Sequence, residues 1–182
     1  MKRMPELRTL SEDHHHGLVQ ARQLRRAAEG DEVHPAEATA RGFLDFWQND
    51  TAIHFRKEEE VLLPVMARHG GDVSQAPLVE MLEDHARIRG LVMRLSDEVV
   101  GGNVRPETLR EIGHRLETHI RLEERVVFPL VEESLSEAAL TELAARLEVK
   151  DAGPSVEPWV PAEELSYAPW PGPGDSEGGG YD

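Results

Sequence analysis

Cysteine is absent from this chain, and its absence removes disulfides, zinc–thiolate sites, iron–sulfur clusters and thiol catalysis together. Aromatic residues are scarce at 5%, while Leu, Val and Ala supply most of an apolar content of 39%. That mixture suits helices better than a β-sandwich. Positive charge is short as well: 20 Lys and Arg stand against 35 Asp and Glu, a net charge of −15. A nucleic-acid partner, which needs basic patches, is therefore not expected. No stretch approaches the roughly 20 apolar residues of a membrane span. The segment from Met1 to Leu10 has no apolar core of a signal peptide, so a cytoplasmic location is expected.

What is present falls into helical segments separated by Gly and Pro. A helical pattern runs from about Pro5 to Glu29 and stops at Gly30. A second runs from Ala36 to His69 behind Pro35 and stops at Gly70-Gly71. Asp72 or Ser74 can cap a third, which reaches Val100 before Gly101-Gly102. Pro106 opens a fourth, to about Glu133, and Ser136 starts a short fifth over Glu137 to Glu148. Four long helices joined by short turns predict an all-α, antiparallel up-down four-helix bundle over residues 1–149. From Asp151 the composition changes. The last 32 residues hold six Pro, six Gly, seven acidic residues and neither Lys nor Arg. Residues 150–182 are thus expected to form a flexible or loosely docked tail. Its Trp159, Tyr167 and Trp170 are available to a protein partner.

The chain also repeats itself. Glu12-Asp13-His14, His54-x-x-x-Glu58-Glu59 and Leu63-Pro64 return as Glu83-Asp84-His85, His119-x-x-x-Glu123-Glu124 and Phe128-Pro129. In both copies the proline follows the first Glu of the pair by six residues. A helix-interior proline costs about 3 kcal/mol, so its recurrence at one offset marks a duplicated helix pair.

Periodicity then sorts the nine histidines. On a helix turning about 100° per residue, His54 aligns with Phe43, Trp47, Glu58, Val61, Leu62 and Val65. His119 aligns with Ile112, Leu116, Glu123, Val126 and Leu130. His85 shares a face with Leu78, Met81, Leu82, Ile88 and Leu95, and His14 with Leu7, Leu10, Leu18 and Ala21. His15 and His16 share faces with Arg, Ser and Gln, and His34, His69 and His114 are expected at the surface. Glu59 and Glu124 have mixed neighbours, and periodicity leaves them open.

One histidine on an apolar stripe is ordinarily a satisfied core residue. Four histidines and two glutamates converging on one level of a bundle are another matter, because two carboxylates in a dry core cost several kcal/mol. Metal ions remove that penalty. The expected ligands are His14, His54, Glu58, His85, His119 and Glu123. Nitrogen and bridging carboxylate donors without sulfur suit iron first and manganese second. Six ligands are too many for one tetrahedral zinc and fit two ions bridged by Glu58 and Glu123.

At these residues the sequence resembles the hemerythrin-like family in its His-His-Glu cation-binding form. The resemblance covers roughly residues 5–135. It implies a non-haem di-iron centre in a four-helix bundle, with the four histidines as terminal ligands. It further implies a small ligand such as oxygen, nitric oxide or peroxide. Binding or sensing of oxygen, nitric oxide or iron is one expected function, and a peroxidase- or catalase-type oxidoreductase is the other. Oxygen-carrying members usually have one more histidine a turn before the third, and here that place is Met81.

Overall fold

The computed structural model describes residues 7–151. The expected helix start at Pro5 and the tail from residue 152 onward lie outside the described residues. Helix α1 spans Arg8–Ala28. The second long helix is continuous but not uniform: α2 (Ala36–Phe46), α3 (Ala52–Lys57) and α4 (Leu63–Arg68) are joined by π-helical turns at Trp47–Thr51 and Glu58–Leu62. Helix α5 spans Ala76–Val100. Helix α6 (Pro106–Leu122) continues through a third π turn, Glu123–Val127, into α7 (Phe128–Ser134), and α8 spans Glu137–Asp151. No strand occurs among the described residues. Nor is any described helix long and apolar enough to cross a membrane.

The turns follow the glycines. Gly30, Gly70 and Gly102 take φ of 80°, 82° and 64°, a left-handed conformation that ends a helix at little cost only for glycine. Asp72 and Ser74 do not cap α5. Asp72 instead accepts from the Ser74 N–H and hydroxyl, forming a turn of its own, and the helix begins two residues later at Ala76. Ser136 does cap α8, accepting the Ala139 N–H.

Helices α1, α2–α4, α5 and α6–α7 close an up-down-up-down ring, each packing on its chain neighbours and α6 returning to α1. The α1–α6 approach is close because glycines sit in it. A Cβ on Gly113 would lie 2.6 Å from the Ala21 carbonyl oxygen, and one on Gly17 would lie 2.8 Å from Ile120 Cδ1. The core forms two apolar clusters. Leu24, Phe43, Ile88, Leu95, Leu109 and Ile112 lie in one. Leu10, Leu62, Met66, Met81, Val127 and Phe128 lie in the other, which α8 covers with Leu140, Leu143 and Leu147. The histidine and glutamate layer separates the two.

The π turns explain the repeated prolines. Pro64 and Pro129 have no N–H to give and no room for a carbonyl four residues back. In response the helix widens: the N–H of Leu63 reaches the Glu58 carbonyl, and that of Phe128 reaches the Glu123 carbonyl, each five residues back. In the Trp47–Thr51 turn, the Asn49 side chain donates to the Asp45 carbonyl at 2.8 Å. A π turn inserts one residue into the helical phase. That corrects the expected stripe beyond Glu123: Val127 and Val131 are fully buried, while Val126 is 41% exposed and Leu130 only half-buried. Leu82 is likewise at the edge of its stripe and 38% exposed.

Candidate metal centre

All six expected residues converge. His14, His54, His85 and His119 arrive from α1, α3, α5 and α6, and Glu58 and Glu123 are the first residues of the two repeated π turns. Each is buried, with Glu58, His85, His119 and Glu123 fully so. Two groups of donor atoms result: His14, His54, Glu58 and Glu123 in one, and Glu58, His85, His119 and Glu123 in the other, each within 4.8 Å throughout. Both glutamates belong to both groups, so the arrangement has two half-sites sharing two carboxylates. His15, His16, His69 and His114 are exposed, and His34 is half-buried beside Asp31 in its turn.

The donor atoms crowd together in the buried layer. His119 Nε2 lies 2.9 Å from Glu123 Oε1, His14 Nε2 3.0 Å from Glu123 Oε2, and His85 Nε2 3.2 Å from Glu58 Oε2. Even so, all four oxygens of Glu58 and Glu123 and the Nε2 atoms of His85 and His119 are buried without a hydrogen bond. Orphaned buried polar atoms cost about 1–3 kcal/mol each, and more when charged, so a cation is the natural occupant.

The outward ring nitrogens fix the tautomers, and here Glu59 and Glu124 find their place. His85 Nδ1 donates to Glu59 at 2.7 Å, and His14 Nδ1 donates to Glu124 at 2.7 Å. His54 Nδ1 donates to Asp13 at 3.3 Å, and His119 Nδ1 lies 4.0 Å from Asp84. The glutamate crossing is symmetric, each half of the repeat lending its second Glu to the other half's first His; the Asp contact is not, since Asp13 bonds His54 while His119 Nδ1 is buried without a hydrogen bond. Arg89 grips Glu59 at 2.7 and 2.9 Å, and Arg115 holds Asp84 at 2.9 Å. A carboxylate behind a ligating imidazole leaves the lone pair on the inward Nε2 and raises its basicity. Periodicity missed the roles of Asp13, Glu59 and Glu124 because these groups sit at the half-buried margin of a stripe; the recurrence of Asp-His and Glu-Glu in both copies was the available signal.

Aromatic rings close the layer. Phe55 stacks on His85 with centroids 3.7 Å apart and meets Trp47 edge-on, and Phe128 lies parallel to His14 at 5.3 Å. The electrostatics match a cation-seeking cluster. Burial pushes His54 down, but Glu58 and Asp13 outweigh it and hold the ring at about 10. His85 is likewise pushed down by burial and brought up to about 10 by Glu123, Glu58 and Glu59. Burial raises Glu123, yet His119, His14 and His85 hold it well below the usual carboxylate range. Burial also raises Glu59, and His85 with Arg89 bring it to about 2.

Fold and site together define a helical-bundle protein whose core is built to hold metal. Residues 6–131 match the model of the Hemerythrin HHE cation binding domain, and the chain belongs to that family. Such domains bind metal ions, usually iron. Comparison with curated proteins and with solved structures finds no match.

Proposed function

We propose that the chain holds two iron ions, with manganese as the second choice, and uses them to bind or sense a small ligand: oxygen, nitric oxide or the iron itself. His14 and His54 would hold one ion and His85 and His119 the other, with Glu58 and Glu123 available to both. The observation that carries this reading is the shared membership of both glutamates in two four-residue donor groups. Asp13, Glu59 and Glu124 orient three of the rings, and Phe55 and Phe128 keep bulk water off them. The metal pair would supply redox chemistry and open coordination positions. Met81, fully buried in the apolar cluster, stands where oxygen carriers of the family have a further histidine, so one position is left to an exogenous ligand.

A small cavity on the His14–His54 side, away from Met81, favours a second reading, a peroxide-consuming oxidoreductase. A cavity of ≈ 20 Å³ beside His14, His54 and Glu123 admits a molecule of water or peroxide size and no organic substrate. Visible spectra of the aerobically purified protein separate the two. A charge-transfer band that comes and goes with oxygen supports sensing or binding. Fast peroxide decay without such a band supports the oxidoreductase. A colourless protein free of metal refutes both.

A further inference from the structure

Two of the π turns in the described helices are accounted for by Pro64 and Pro129. The turn over Trp47–Thr51 has no proline to cause it. It also has no counterpart in the repeat. Counted from the second histidine of each copy, its place in the other half is 112–116, an uninterrupted part of α6. What the turn does is change the residue that faces in. Phe43 is fully buried, and a regular helix would bring Asp50, seven residues on, back to its face. Instead the Ala52 N–H reaches the Trp47 carbonyl five residues back, and one residue is inserted into the phase. Thr51 therefore turns inward, 7% exposed, and Asp50 is left at the surface.

Thr51 arrives at the ≈ 20 Å³ cavity beside the His14–His54 half of the metal layer. Phe46, Phe55, Leu116 and Ile120 give that cavity carbon walls, and Ile120 Cδ1 occupies the space a side chain on Gly17 would need. Most of its polar lining is already engaged. His14, His54, His119 and Glu123 belong to the metal layer, and Asp13 accepts from His54 and lies 3.7 Å from Lys57. The Thr51 hydroxyl is different: the residue is buried, and it makes no hydrogen bond to any described residue. A buried hydroxyl left without a partner is costly, so a ligand beside it would be held by it. In the second copy the same place is Leu116, which has no such group.

We propose that Thr51 is the hydrogen-bond donor to the small ligand of the metal layer, and that this ligand is a neutral diatomic with an oxygen end, dioxygen or nitric oxide. The proposal rests on the ligand-binding reading above. The cavity's size admits a diatomic, and its carbon walls suit a molecule that needs a single hydrogen bond. Peroxide gives and takes hydrogen bonds at both ends, and once metal engages the rings and Glu123 only Thr51 is left to meet it. The exposed carboxylate of Asp50 at the same cavity disfavours an anionic ligand.

The test uses iron-loaded full-length protein, with nitric oxide and dioxygen as separate probes. Release rates are measured by stopped-flow absorption, and the stretching frequency of the bound gas by resonance Raman in H₂O and D₂O. Thr51→Val keeps the shape and removes the hydroxyl. It should release the gas about threefold to tenfold faster and lose the D₂O shift that the wild type shows. Thr51→Ser should restore both, with iron content and melting temperature near wild type in each variant. The gas whose release depends on Thr51 is the ligand. Wild-type release and frequency in Thr51→Val overturn the proposal, and so does a wild-type frequency that ignores D₂O, which needs no variant to fold. Slower peroxide decay in Thr51→Val with unchanged gas release also overturns it, because the hydroxyl would then serve peroxide. If the iron-loaded wild type takes up neither gas, the ligand-binding reading itself has failed, and the role of Thr51 with it.

Discussion

His14 and His54 face each other Nε2 to Nε2 at 3.0 Å, while their Nδ1 atoms are turned outward to Glu124 and Asp13. A neutral imidazole has one N–H, and here it is committed outward. Two buried lone pairs therefore confront each other across 3.0 Å, an arrangement that only a proton or a metal ion between them makes favourable.

Proton and metal thus compete. His54 and His85 are held at about 10, far above the ordinary 6.5, so both rings of the apoprotein are protonated near neutral pH. Metal binding needs them neutral. Loading metal into weakly buffered apoprotein should release protons, which an indicator dye will report. The sign for stability follows from the raised values: the rings' contribution is full below 6.5 and is lost as pH rises through about 10. Apoprotein melting temperature should fall across that window, and metal should flatten the fall.

The carboxylates behind the rings should govern affinity without governing the fold. Glu59 joins His85 to Arg89, and all three are linked by contacts of 2.9 Å or less. Glu59→Gln and Arg89→Met should each weaken metal binding about 10–100-fold while leaving the helical circular dichroism unchanged. A chelator-competition titration checks this, and wild-type affinity in both variants would remove the orienting role.

Two mid-helix glycines should respond oppositely to alanine. At Gly113 the new Cβ would meet the Ala21 carbonyl oxygen at 2.6 Å and Arg25 Cγ at 2.8 Å, so the α1–α6 pair must part, at about 1–3 kcal/mol. At Gly90 nothing lies within 4 Å, and the better helix former should stabilise by about 0.5–1 kcal/mol. Thermal melting of the metal-loaded proteins distinguishes the two signs.

Much of this was legible in the sequence, because a metal layer in a bundle is written in the helical period. Burial singled out His14 from His15 and His16 as the apolar stripe of α1 did, and the glycines at 30, 70 and 102 marked the turns. The π turns were not legible. Pro64 and Pro129 signalled a disturbed helix, but whether it kinks, breaks or widens depends on where the freed carbonyl finds a donor. For that reason the inward face beyond Glu123 shifts by one residue, from Val126 to Val127.

The central claim is that six side chains hold two metal ions. Metal analysis of the purified protein by mass spectrometry tests it most directly, alongside His54→Ala and Glu123→Ala. The account predicts two ions per chain, chiefly iron, in the wild type, and loss of metal together with much of the thermal stability in both variants. A wild-type protein without metal, or either variant still holding two ions per chain, would contradict it.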